Sequence, residues 1–260
     1  MNPIQISVGE AVKEAPGKGS RLLQLAKQHR SDHPRVDRVQ TIRHWDPDSK
    51  TFCYQTHIAV SGQARDRLGW LVDILYSANA MITQPWYPQF RGGTCAPCDT
   101  APLPGIARHQ LCVGSFDLGL PSPRCYRQLL SVTELEDDAC AIVARSIDSG
   151  PALPSGERLA YTLGPNGEVL YWQAECLHWH HICCTPGAAL LPSLPDRWLI
   201  NTLRRLGVDG AERSTYRLEA EAMRDWLQSL GTANHPDSSH SDIRALHEQN
   251  RETKERCVQL

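Results

Sequence analysis

The stretch that most constrains the fold runs from Glu168 to Cys184 and ends at the break Thr185-Pro186-Gly187. Its two halves, Glu168–Gln173 and Cys176–Cys184, are aromatic and apolar runs of strand length. Beyond the break, Leu190-Leu191-Pro192 leads into helical spacing, with Trp198, Leu199, Thr202, Leu203 and Leu206 on one side. Gly207-Val208-Asp209-Gly210 interrupts that pattern, and Ala211–Leu230 resumes it with Leu218, Ala222 and Trp226. A block of strands therefore delivers the chain into a long amphipathic C-terminal helix. Whether the helix closes over a packed core or over a cavity is the functional question.

Earlier elements follow from the same rules. Pro16-Gly17-Lys18-Gly19 reads as a turn, and Ser20 as the cap of a short helix, Arg21–His29, in an appended arm over residues 1–35. Val36–Val60 reads as a β-hairpin about Asp46-Pro47-Asp48-Ser49. Ala64–Ile82 has helical spacing through Leu68, Leu71, Val72 and Leu75. Arg91–Gly105, rich in Gly, Pro, Thr and Cys, reads as a loop. Leu111–Leu118, Tyr126–Leu135 and Ala139–Ile147 read as strands, and Arg158–Leu163 with Glu168–Gln173 as a hairpin around Gly164-Pro165-Asn166-Gly167. Residues 36–230 form the expected domain, and 231–260 an expected polar, poorly ordered tail. Strands bracketed by helices predict an α+β fold, with the sheet wrapping a helix rather than alternating with helices.

Composition excludes some classes. A net charge of −2 lacks the basic excess of a nucleic-acid binder, so no nucleic-acid partner is expected. No apolar run reaches the length of a membrane span. Met1-Asn2-Pro3-Ile4-Gln5 lacks the layout of a secretory signal, which leads to the expectation of a soluble, cytoplasmic chain with reduced thiols. Cys53, Cys112, Cys125, Cys140, Cys176, Cys183 and Cys184 then read as small core residues.

Three segments together resemble the StAR-related lipid-transfer (START) domain of the SRPBCC helix-grip superfamily. Pro121-Ser122-Pro123-Arg124-Cys125-Tyr126 is similar to the family's proline-arginine-acid-aromatic lead into a strand, with Cys125 in the acidic position. Cys140-Ala141-Ile142-Val143-Ala144-Arg145-Ser146-Ile147 resembles its apolar strand ending in a Ser-Val-like pair. Gly187, Leu191-Pro192 and Trp198-Leu199-Ile200-Asn201 resemble its lead into the closing helix, enlarged here by Ser193-Leu194-Pro195. The resemblance covers Gln110–Leu206 well and the earlier half only by element order. It implies a curved antiparallel sheet gripping the long C-terminal helix, with an elongated apolar cavity between them that holds a lipid or other hydrophobic small molecule; transient membrane contact and no cofactor are expected.

The candidate lining is Ile142, Ala144, Arg145, Trp172, His178, His180, Trp198, Leu199, Thr202, Leu203 and Leu206. Two-residue alternation separates Cys140, Ile142 and Ala144 from Ala141, Val143 and Arg145. In the last strand it separates Cys176, His178, His180, Ile182 and Cys184 from Leu177, Trp179, His181 and Cys183, and which set faces inward is open because a bulge exchanges them. Ordinary core packing competes with lining for the helix stripe, and a solvent-facing position competes for Arg145, since an inward arginine must be paired. His178, His180, His181, Cys183 and Cys184 could join Cys95 and Cys98 at a zinc ion, but the two groups are far apart in sequence, and no metal is assigned. Cys95-Ala96-Pro97-Cys98 also has redox-motif spacing, although not at a helix N-terminus. Trp86, Tyr87 and Phe90 read as a helix-end cluster or a membrane-touching lid. An enzyme of the same fold, a cyclase or hydrolase, would use His178 or His180 with Glu175 as acid and base, and no catalytic set is assigned. A ligand-free interaction module is the third reading.

Overall fold

The computed structural model describes residues 6–28, 36–48, 51–62, 68–76, 90–101, 103–116, 123–135, 138–153, 156, 158–162, 164–183 and 210–232. Helix α1 is Val8–Gln28. Strands β1 (Gln40–Asp46) and β2 (Thr51–Ser61) form the expected hairpin. Helix α2 (Leu68–Tyr76) lies within the predicted Ala64–Ile82. Then come β3 (Phe90–Pro97), β4 (Ile106–Phe116), β5 (Arg124–Leu135), β6 (Ala139–Ser146), β7 (Arg158–Ala160), β8 (Asn166–Gln173) and β9 (Cys176–Cys183). Helix α3 is Gly210–Thr232.

The strands form one curved, open, mostly antiparallel sheet in the order β1-β2-β9-β8-β6-β5-β4-β3, with β7 attached to β5. One face carries α2 and α3, which with the strands bury a single apolar cluster. The other face carries α1, which buries two smaller clusters.

Four sequence expectations need correction. Helix α1 is not a short arm starting at Ser20. Its cap is Ser7, whose Oγ accepts from the Glu10 amide at 3.3 Å while the Glu10 carboxylate accepts from the Ser7 amide at 3.0 Å, a capping box. The helix runs through Pro16 and Gly17, and Leu22, Leu25 and Ala26 pack on the sheet. Tertiary burial outweighs the local turn preference of Pro16-Gly17 here. Gly19 permits the close approach: a Cβ there would lie 2.2 Å from Thr133 Oγ1.

The predicted loop Arg91–Gly105 contains β3, an edge strand that Gly92 and Gly93 make hard to see by propensity and that pairing with β4 holds extended. The predicted hairpin across Gly164–Gly167 does not form. β7 pairs parallel with β5, and β8 pairs with β6 and β9. Gly167 sits where a Cβ would fall 2.1 Å from the Ile142 carbonyl, so β8 can lie against β6 only with glycine there. Cys53 differs from the expected reduced core thiol: it is buried and disulfide-bonded.

Candidate functional site

Alternation along β6, β8 and β9 decides what each face offers. Ile142 and Ala144 of β6, Leu170 and partly buried Trp172 of β8, and Leu177 and Trp179 of β9 all join the cluster under α2 and α3. Ile58 and Val60 of β2 extend it toward one edge, and Leu130 and Val132 of β5 toward the other. Leu71, Val72 and Leu75 cover it from α2, and Ala220, Met223 and Leu227 from α3. Helix α2 is tied to β4 by Arg108, which pairs with Asp73 and stacks over the Tyr76 ring at 4.9 Å, and by Gln110 Nε2, which donates to the Tyr76 carbonyl. The buried stripe of α3 is Ala220-Met223-Leu227, and predicted Leu218 is exposed. Ala222 and Trp226 are partly buried at the stripe's edge.

A polar cluster interrupts this face between α3, which packs along β2, and the neighbouring side chains of β8 and β9. Trp179 Nε1 donates to Glu168 Oε2 at 2.7 Å. Tyr216 of α3 donates its hydroxyl to Cys183 Sγ at 3.2 Å and stacks on Tyr54 at 5.3 Å. Glu219 of α3 is buried, with Oε2 3.8 Å from His181 Nδ1. Burial, then the neighbouring Glu168 charge, pushes the Glu219 carboxyl up to about 8, and burial pushes the His181 imidazole down to about 4. At neutral pH this is a pair of uncharged groups and not a salt bridge. The sheet–α3 interface therefore holds hydrogen-bonding groups in an aromatic and aliphatic surround with little net charge.

His178 and His180 are not on this face, which corrects their assignment to the lining beside Ile142 and Ala144. The β8–β9 turn is the two-residue Ala174-Glu175, both left-handed at φ 50° and 58°, the backbone of a type I′ hairpin. The register it sets turns His178, His180 and Ile182 toward α1. Both imidazoles are buried, and β2 places buried His57 beside them. His178 Nε2 donates to the Gln173 carbonyl at 3.2 Å, so its Nδ1 accepts from His57 Nε2 at 3.0 Å. Gln55 Nε2 donates to His180 Nδ1 at 3.0 Å, and His180 Nε2 bonds the Tyr171 hydroxyl at 3.1 Å. These partners fit one N–H on each ring.

The three histidines are also the metal-ligand-type group that the described residues bring together, with one nitrogen of each within 4.8 Å of the others. Imidazole suits zinc, copper or nickel. The rings are nearly parallel, however, at 8° between His57 and His180 and 7° between His57 and His178. Their lone pairs lie in the ring planes and do not converge, so an ion would require the rings to turn out of their present hydrogen bonds. Sequence reasoning missed His57 because it lies 121 residues before His178, and only β2–β9 pairing joins them. Cys95 and Cys98 do not join this group, so the two-cysteine, two-histidine combination considered from the sequence is not among the groups the described residues bring together.

Arg145 also faces away from the apolar cluster. Its Nε donates to Glu14 Oε2 of α1 at 3.1 Å, which replaces the ligand-facing role with an ion pair between helix and sheet. Glu175 is exposed in the hairpin turn and does not pair with His178 or His180, whose bonds run to Gln173, His57, Gln55 and Tyr171. The acid–base arrangement proposed for an enzyme is thus not assembled from these residues. Trp198, Leu199, Thr202, Leu203 and Leu206, together with Cys184, Trp86 and Tyr87, lie outside the described residues. Phe90 begins β3 and meets Phe116 edge-on.

No protein-family profile matches the sequence, and no curated protein matches it. Solved structures do match by shape. Human StAR-related lipid transfer protein 5 aligns over 83% of this chain and 98% of its own, with TM-score 0.54 and 13% identity. The lipid transfer and protein localization domain of human StarD13 aligns over 79% and 94%, with TM-score 0.50 and 11% identity. Human STARD10 aligns over 81% and 82%, with TM-score 0.50 and 13% identity. The chain has the START-type helix-grip fold, an open curved antiparallel sheet with a C-terminal helix. No helix among the described residues is long and apolar enough to cross a membrane.

Proposed function

We propose that this protein binds a lipid or other hydrophobic small molecule between the sheet and helices α2 and α3, and transfers it between membranes by transient contact. The observation that carries this reading is the apolar face itself: Ile142, Ala144, Leu170, Trp172, Leu177 and Trp179 on one side of the sheet, covered by two helices. Such a face can take a ligand when a helix moves aside, and each methylene withdrawn from water contributes about 0.8 kcal/mol. The shape likeness to proteins named for lipid transfer supports the same reading.

The cluster of uncharged His181, Tyr216 and Glu219 beside the Glu168 carboxylate supports a ligand with a small hydrogen-bonding head and a long apolar body, since a strongly anionic head would meet two carboxyl groups there. Helix α2 is the proposed moving part, because Arg108–Asp73 and the Gln110–Tyr76 bond hold one end of it to β4. The cell's aqueous interior is the proposed working place. Organic extraction of the purified full chain, with mass spectrometry of the extract, tests the reading. Recovery of one hydrophobic compound per chain is the expected result. An extract indistinguishable from that of an unrelated protein purified in parallel would refute it.

A further inference from the structure

Two cysteines meet across the β3–β4 ladder. Cys95 and Cys112 occupy directly paired positions, and their Sγ atoms are 2.7 Å apart. That separation is well inside the roughly 3.5–4 Å of an ordinary nonbonded heavy-atom contact. Cα atoms of paired antiparallel residues stand about 4.5–5.5 Å apart, within the span a disulfide bridges. Both side chains lie on the face that carries α2 and α3, where Cys112 is buried in the apolar cluster and Cys95 packs against it, half-buried. Cys98 does not compete for Cys95. It lies just past the end of β3 and packs against the α1-side cluster, so the Cys-x-x-Cys spacing is not the reactive pair.

We propose that Cys95 and Cys112 are a thiol–disulfide couple that exchanges with low-molecular-weight disulfides. The Cys95 thiolate attacks one sulfur of the small disulfide, whose S–S bond breaks and releases one thiolate, leaving Cys95 in a mixed disulfide. Cys112 then gives up its proton to the released thiolate and attacks the Cys95 sulfur, expelling the second thiolate, which takes a proton from water in exchange for the one Cys95 had lost. The two cysteines lose two electrons and two protons, and one small disulfide becomes two thiols. The Cys112 hydrogen bond lowers the Cys95 thiol and raises the Cys112 thiol, which gives the accessible member the first step and the buried member the second. Closing the bond clamps edge strand β3 to β4 beside the seat of α2. The couple does not depend on the hydrophobic-ligand reading.

The test uses the full chain, reduced, desalted, incubated with oxidised glutathione, alkylated and digested with trypsin. The expected product links peptide 92–108 to peptide 109–124 with loss of two hydrogens, and dithiothreitol reverses it. Cys98→Ser should form the same link at the wild-type rate. Cys112→Ser should stop at glutathione on Cys95 and hold it an order of magnitude longer than wild type does. A disulfide within peptide 92–108, or full alkylation of Cys95 and Cys112 after oxidation, would overturn the proposal. Loss of the link in Cys98→Ser would overturn it equally.

Discussion

Replacing Glu219 by Gln should change how stability depends on pH, in a window set by the structure. Glu219 is buried on α3 and titrates at about 8 in the fold, against an ordinary 4.5. Between those values the folded chain holds a proton that the unfolded chain has lost. Stability from this group is therefore full below pH 4.5 and is lost as pH rises toward and through 8. His181 acts oppositely: it titrates at about 4 against an ordinary 6.5, so stability rises with pH across that interval and is flat above it. The two slopes nearly cancel below pH 6.5, and above it Glu219 acts alone. One proton changes stability by about 1.4 kcal/mol per pH unit, so wild type should lose roughly 1–1.5 kcal/mol between pH 7 and pH 9 through this group. That corresponds to a fall in Tm of about 3–5 °C for a chain of this size. Gln keeps the shape and cannot ionise, so thermal melts of Glu219→Gln should be flatter by that amount over the same window. Parallel wild-type and variant curves from pH 7 to pH 9 would refute the burial argument.

Other expectations follow from particular contacts. Gly19→Ala should destabilise by about 1–3 kcal/mol through overpacking against Thr133, and Thr133→Ala should recover part of that loss in the double variant, read by urea unfolding. Ala174→Asn with Glu175→Gly suits the left-handed hairpin turn and should raise stability by about 1 kcal/mol; an unchanged or lower urea midpoint would count against the turn assignment. His180→Ala leaves Gln55 and Tyr171 without their imidazole partner and should cost about 1–3 kcal/mol while leaving hydrophobic-ligand uptake at the wild-type level. Uptake lost in proportion to ligand contact, with stability unchanged, would place His180 back among the lining.

The sequence was most readable where burial was one-sided. β5, β6, β8 and β9 stand within a few residues of their predicted limits because alternating or continuous apolar runs mark them. Facing was harder, since a one-residue shift exchanges Trp179 for His178, and the Ala174-Glu175 turn that fixes it has none of the usual Asn-Gly signal. Reading Pro16-Gly17 as a turn hides the start of α1 at Ser7, and packing on β5 and β6 overrides that turn preference. Arg145 and the histidines looked like ligand groups because α1 had been set aside, and α1 is what they meet or lie beneath. Glu219 was hidden for another reason: a carboxyl in the buried stripe of α3 breaks the apolar pattern that would have marked the stripe.

Ala144 gives the most direct test of the proposed ligand binding, because it lies with Ile142 on the apolar face of β6 under α2 and α3, and its replacement by Trp would fill space that the proposed ligand needs. Full-length wild type and Ala144→Trp should be incubated with vesicles of mixed phospholipid, sterol and fatty acid, then compared by native mass spectrometry and thermal melting. The expected result is a one-to-one hydrophobic adduct on wild type, and none on an Ala144→Trp chain that still melts cooperatively. A wild type that never carries an adduct, beside an Ala144→Trp chain that fails to fold, would mean the space under α2 and α3 is filled core and would contradict hydrophobic-ligand binding.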